Sequence, residues 1–524
     1  MKRDISSYRA DDHVSVAGDG DARSRARGGM IDRSRRVDEQ SFVAKMYPNG
    51  DIVARGASSR RRMSRALSRI GVGVGVVVLV FGSGTREVDA AWTSQGAVDA
   101  ITPASNTFFA MEGVAISGDL AIVGEPMRTQ SSVSNTGAAY AFERSSGAWS
   151  SAAALTPTAY TGGEHLGQAV DIDGYYAVVG AQNDSPSGSA NHAGAAHVFV
   201  YDVNSQAWTV SAKLDITTPT AGDNFGSDVA ISGDTIAIGV PGYGGTASGA
   251  GGVVTFERSG ASWSRQTTVI EPGDLSANDG FGNAVALDGN TMIVGCNSQN
   301  SGAGAAYIYT RSSATSAWTQ EQKITLSGSD ASTYDELGAR VAISGDTVAI
   351  VSRRTSTSDF GAVFVYTRTS GSWSRQTLIT PPTGAAEFAD SMALYGDLLV
   401  AGAPDTDLTS VNAEGAAYVF QRDSSGNWNQ LVRLEAHDGT SADTQSNAAF
   451  GSAVGIHGNT VIVGAKGYSS MTGRAYIYQD ASVTNNGPSS SPSSQNAPSP
   501  GRSAASRVPL ASLTIAFALA AFLF

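Results

Sequence analysis

The stretch WTSQGAVDAI, Trp92–Ile101, reads as the last strand of a repeating unit whose first three strands do not precede it. Its opening tryptophan recurs at Trp149, Trp208, Trp263, Trp318, Trp373 and Trp428, at intervals of 57, 59, 55, 55, 55 and 55 residues, and no tryptophan falls outside the series. Each of the last six follows an aromatic segment such as GAAYAFER, GGVVTFER or GAVFVYTR. The matching segment at Gly473–Tyr478, GRAYIY, has no tryptophan after it. A fixed period slightly above 50 residues is the signature of a repeat architecture. An orphan fourth strand at the front and three strands lacking a fourth at the back are two halves of one unit, so the array closes on itself. The expected fold is all-β: a seven-bladed β-propeller over residues 91–480, closed by an N-terminal strand that completes the last blade. Closure removes the exposed strand edges that an open stack would present. An open solenoid of seven units leaves the orphan strand unexplained.

Inside each unit the first two strands are clearest in FGSDVAISGDTIAIGVP, Phe225–Pro241, which returns as FGNAVALDGNTMIVGCN from Phe281, LGARVAISGDTVAIVSR from Leu337 and FGSAVGIHGNTVIVGAK from Phe450. Gly-Asp and Gly-Asn are the residues a two-residue hairpin turn demands, because they tolerate positive φ. Alternation sends Val229 and Ile231 to one face and Ala230 to the other, so a large face of one blade can pack on a small face of the next.

These residues resemble the FG-GAP repeat family, the propeller repeat of integrin α-chain heads and of many surface proteins. The FG is present at Phe225-Gly226, Phe281-Gly282 and Phe450-Gly451, softened at Leu166-Gly167, Leu337-Gly338 and Phe388-Ala389, and lost at Ala110-Met111. The GAP element appears at Gly124, Gly180, Gly239, Gly295, Gly402 and Gly464, and departs to VSR at Val351. The resemblance implies a binding propeller. Integrin-type repeats often carry a Ca²⁺ cage in the first hairpin loop, and Ca²⁺ needs six to eight oxygens. Here that loop is two residues long, so Asp234 and Asp346 read as turn residues. Asp171 and Asp173 of DIDGYY come nearest to a calcium motif but lack a third carboxylate.

The net charge of −12 argues against a nucleic-acid partner, which needs a basic face. A single cysteine, Cys296, excludes an intramolecular disulfide framework, and it reads as a buried small apolar residue. The first-to-second and third-to-fourth turns share one face of the ring and are short and repetitive. The other two connections share the opposite face and are long and unlike one another, which is where recognition by a rigid scaffold usually lives. The expected ligand-binding face is acidic, with Asp184, Asp223, Asp279, Asp335, Glu336, Asp405 and Asp407, joined by Asp359 and Glu414 and interrupted by Arg353, Arg354 and Lys466. No catalytic residue, metal or cofactor is expected. His165 and His192, beside Glu164, are the other candidate metal ligands, but they have no defined ligand spacing. Asn183 heads a glycosylation sequon.

The ends carry the address. Residues 1–62 read as a disordered Arg-rich segment and a possible gene-model extension. Residues 63–90 read as a signal peptide beginning at Met63 (or a signal anchor), with Val88 and Ala90 at the cleavage positions. Residues 481–503 form a Ser/Pro-rich linker, and 504–524 a hydrophobic tail. Small residues, a spacer and a terminal apolar run form the pattern of a GPI-attachment signal, and a membrane helix is the alternative. The expectation is a membrane-anchored cell-surface protein that is not an enzyme and recognises an extracellular protein or glycan. The alternatives are a propeller enzyme acting on carbohydrate or phosphate ester, and a structural coat or cell-wall protein.

Overall fold

The computed structural model describes residues 43–46, 52–55 and 92–480, without 131, 158–161, 186–190, 267, 332–333, 355–359, 409–412 and 438–444. The chain divides into two compact units, Met1–Val88 and Asp89–Phe524. Of the first, the described residues form one hairpin, Val43–Met46 paired with Ile52–Arg55. This is a correction: these eight residues were expected to hold no regular structure. The rest of residues 1–62, the expected signal segment, the linker and the tail lie outside the described residues.

The second unit is a seven-bladed propeller of four-stranded antiparallel sheets. The innermost strands are Val114–Ser117, Val170–Asp173, Val229–Ser232, Val285–Asp288, Val341–Ser344, Met392–Tyr395 and Phe450–His457, in blades one to seven. Blade seven runs Phe450–His457, Thr460–Ala465, Arg474–Asp480 and then Trp92–Val98, so the orphan strand is its outermost member. Trp92 stands opposite Asp480 and Val98 opposite Ala475. Closure by an N-terminal strand that completes the last blade is borne out.

The two halves of the repeat motif meet across each blade junction. The FG residue is buried, with Phe225, Phe281 and Phe450 each fully enclosed. Its ring stands edge-on to the aromatic third strand of its own blade, as in Phe281–Tyr307 at 5.4 Å and 83°. The glycine after it sits against the GAP glycine of the preceding blade. A Cβ on Gly180 would lie 2.2 Å from the Gly226 carbonyl oxygen, and one on Gly402 2.0 Å from that of Gly451. No side chain fits on Gly180 or Gly402 at these contacts, and at the junction of blades seven and one Gly464 meets Ala110 in place of the second glycine. At the junction of blades five and six both depart together, to Val351 and Ala389, which share one core cluster.

The 55-residue tryptophan spacing has an equally local cause. In five blades an arginine from the third strand lies over the tryptophan of the fourth and bonds the turn residue between strands one and two. The sets are Arg144 with Asp119 and Trp149, Arg258 with Asp234 and Trp263, Arg311 with Asn290 and Trp318, Arg368 with Asp346 and Trp373, and Arg422 with Asp397 and Trp428. Asp234 and Asp346 are therefore turn residues, as expected, and arginine anchors as well. Cation–π contact adds roughly 0.5–1 kcal/mol per exposed pair. Blade two replaces the set with Tyr175 stacked on Tyr201, whose ring lies tilted against Trp208. Cys296 is fully buried, as read from the sequence, and burial pushes its thiol well above the usual range.

Candidate functional site

The short-turn face is locked by a ring of blade-to-blade hydrogen bonds. The residue just before each turn glycine accepts from the turn glycine N–H of the next blade. Ser117 takes Gly174 (3.1 Å), Asp173 takes Gly233 (2.6 Å), Ser232 takes Gly289 (3.0 Å), Asp288 takes Gly345 (2.6 Å) and Ser344 takes Gly396 (2.9 Å). In blade seven His457 Nδ1 accepts from Gly118 at 3.2 Å, which carries the ring into blade one. Between blades six and seven the Tyr395 and His457 rings lie 4.8 Å apart. The sequence signal was present: this position is Ser, Asp, Ser, Asp, Ser, Tyr and His, never aliphatic.

Within the ring is a cavity of about 380 Å³, walled by the seven innermost strands. Their backbone edges face the lumen, and two carboxylates satisfy part of them. Asp171 accepts from Ile172 (2.9 Å) and, across the junction, from Ile231 (2.8 Å). Asp228 does the same with Val229 (3.0 Å) and Val285 (2.7 Å). Burial pushes Asp171 up to about 7 and Asp228 up to about 6, against the backbone N–H groups that favour the charged form. Asp171 and Asp173 are thus blade staples. Among the described residues no group of three His, Cys, Asp or Glu side chains is placed to hold a metal ion.

On the variable face His165 and Asn183 meet, with Nδ1 and Nδ2 3.0 Å apart. Burial, and then the neighbouring His192, hold His165 below its ordinary value. Glu164 beside them is buried. The expected ligand carboxylates separate into two groups. Asp184, Asp223, Asp279 and Asp335 are buried and serve the scaffold. Asp184 pairs with Lys213 at 2.5 Å, while Asp223 and Asp279 accept the loop N–H groups of Thr220 (2.6 Å) and Ser276 (2.7 Å). The Asp335 carbonyl takes Ser352 Oγ and the Arg354 N–H. Glu414 is also buried. Burial removes these five from direct contact with a ligand on the surface. Glu336 is half-buried, and Asp405 and Asp407 are exposed. Asp359 lies outside the described residues.

Sequence reasoning missed the apolar part of this face. Ile101, Tyr334, Phe360 and Met471, 47%, 58%, 56% and 46% exposed, all belong to its loops. Tyr334 and Met471 adopt φ of 70° and 62°. At the position of Met471, two residues before the loop glycine, other blades hold Asn135, His192, Gly249, Gly302 and Ala413, also left-handed. A large side chain is unusual on such backbone. The signal at Met471 was a long apolar residue where sister copies are Asn, His, Gly or Ala.

A description of the FG-GAP repeat matches residues 149–199, 208–256, 263–309, 318–366, 373–420 and 428–478, more than half of the chain. The chain belongs to the FG-GAP repeat family. Each matched segment runs from a tryptophan strand through the third strand of the following blade. Among solved structures, Sqt1 of Saccharomyces cerevisiae is similar at 10% identity and a TM-score of 0.39, over 74% of this chain and 87% of that one. A putative 6-phosphogluconolactonase from Bacteroides uniformis is similar at 13% identity and a TM-score of 0.43, over 67% and 94%. Neither likeness is close enough to carry a functional argument. No curated protein matches the chain.

Proposed function

We propose that this FG-GAP propeller is an extracellular recognition protein, held at the cell surface by its C-terminal tail, that binds a protein or glycan through its variable loop face. The observation that carries the reading is the contrast between the two faces. One is a set of near-identical turns latched into a rigid ring by Ser117, Asp173, Ser232, Asp288, Ser344 and His457. The other bears loops that differ in every blade and expose four large apolar side chains. A rigid ring with one diversified face is a platform on which loops can vary without cost to the fold.

The test is a binding screen of the purified full chain against protein and glycan arrays, repeated with variants that change one face only. Binding lost on replacing exposed Tyr334 or Met471, and kept on replacing exposed Asp119 or Asp346 of the short turns, supports the reading. The reverse pattern refutes it. Turnover of carbohydrate or phosphate esters would favour the enzyme alternative, and no ligand on either array would favour a structural coat. Release of the protein from intact cells by phospholipase C tests the anchor.

A further inference from the structure

Blade five breaks the repeat on the variable face. Val351 replaces the GAP glycine, and Ser352-Arg353-Arg354 follow, where blades one, three and six turn through Pro126, Pro241 and Pro404. Ser352 pairs with Ala362, so Arg353–Arg354 and Phe360–Gly361 leave the sheet on the two arms of one hairpin. The Arg354 N–H donates to the Asp335 carbonyl at 3.2 Å, and Arg353 lies 3.8 Å from Glu336. The strip Tyr334–Glu336 therefore runs beside the first arm. Tyr334 and Phe360 are the two most exposed large hydrophobic residues among the described residues. Arg353 stands 3.6 Å from Asp390 as well, beyond hydrogen-bond reach of either carboxylate. Arg354 is exposed and makes no ion pair among the described residues.

The Tyr334 backbone adds an independent argument. In blade one the buried FG residue is Phe109, bridged to Gly473, one place before the Ala110-Met111 read from the sequence. Three residues before the buried FG residue, five other blades carry Asn106, Gly163, Gly222, Asn278 and Asn447, with φ from 60° to 83°. Tyr334 holds φ 70° at the same place, with its Cδ1 3.0 Å from where a Cβ on Gly302 would stand, so the ring rests on that glycine. A tyrosine there strains the backbone in a way Asn and Gly avoid. Strain held at an exposed aromatic points to a use outside the fold.

We propose that Tyr334, Arg353, Arg354 and Phe360 form the docking patch for an acidic segment of a partner protein. A carboxylate is taken by the Arg354 fork, and an adjacent apolar side chain rests on Tyr334 and Phe360. This inference rests on the recognition reading above and names the class of its partner. Arginine matches a carboxylate bidentately, and aromatic residues with arginine dominate the energetic centres of protein interfaces. Phe360 offers an apolar ring with no hydrogen-bonding group, which suits a peptide side chain better than the hydroxyl-rich edge of a sugar.

The experiment uses the full chain and an array of short synthetic peptides that combine Asp or Glu with Leu, Phe or Tyr, beside the same peptides with Asn or Gln. The acidic peptides are expected to bind at least about tenfold tighter than their amides. Arg354→Glu and Tyr334→Gly are each expected to weaken binding by about tenfold or more, with the thermal midpoint of Tyr334→Gly unchanged or raised. Equal binding of acids and amides overturns the proposal, as does a Tyr334→Gly chain that melts lower than the parent. Binding lost on replacing Asp405 and Asp407 but kept in Arg354→Glu overturns it while leaving the variable-face reading intact. Selective capture of acidic polysaccharide, lost in Arg354→Glu, overturns the peptide assignment.

Discussion

The hydrogen-bond ring around the cavity contains one member that acid should open. His457 Nδ1 accepts from the Gly118 N–H, so the latch between blades seven and one needs the imidazole unprotonated there. Burial holds His457 below 6.5, its ordinary value, while Asp173, one blade beyond Gly118, pulls the other way. Because the folded pKa is lowered, the unfolded chain binds the proton more readily. The latch contributes fully above pH 6.5 and is lost as pH falls through the folded value. Protonation removes an acceptor and leaves the Gly118 N–H unsatisfied, a loss of about 1–2 kcal/mol. Unfolding entropy of about 2.1 cal/mol/K per residue over a domain this long spreads that loss into only about 1–2 °C of melting temperature. Amide hydrogen exchange is the sharper assay. After correction for intrinsic rates, Gly118 protection is expected to fall as pH drops below 6.5, reaching about 5- to 30-fold once the imidazole is protonated. Gly289 and Gly396, which donate to serines, should change little. His457→Ser, which restores an acceptor of the kind used in blades one, three and five, should flatten the profile at Gly118. An unchanged profile in that variant, or an equal fall at Gly289 and Gly396, refutes the reasoning.

Gly402→Ala places a Cβ 2.0 Å from the Gly451 oxygen and should cost about 2–3 kcal/mol by urea unfolding, whereas an alanine at exposed, uncrowded Gly273 should cost less than about 1 kcal/mol. Arg311→Met strands Glu257, 11% exposed, and should cost about 3 kcal/mol; Arg144→Met faces Asp119, 64% exposed, and should cost about 1 kcal/mol or less by the same measurement. Asp223→Ala frees the Thr220 N–H from its buried acceptor and should lower stability by about 1–2 kcal/mol, while Asp405→Ala should leave the unfolding midpoint unchanged.

The architecture was legible because it is written in spacing. Tryptophans 55 residues apart and one strand out of place allow only a ring whose ends pair, and Trp92–Val98 pairs with Arg474–Asp480 as that logic required. The site was less legible. Asp184, Asp223, Asp279 and Asp335 look like surface charges in a polar loop, yet each is buried. Loops that pass between blades leave backbone N–H groups to be satisfied, and a short carboxylate does this as readily as it greets a ligand. Tyr334 was overlooked for the opposite reason: an aromatic in a β-rich repeat reads as core, and only backbone conformation and exposure set it apart.

Local sequence therefore determined the strands, the two-residue turns and the number of blades, since alternation and turn chemistry act within a few residues. Only the tertiary structure decided what the repeated glycines and serines do. Gly180 meets Gly226, Ser117 meets Gly174 and His457 meets Gly118 across junctions between residues far apart in the chain. Such meetings are fixed by how one blade packs on the next. A linear repeat can name the residues that recur, but which of them touch depends on the ring having closed.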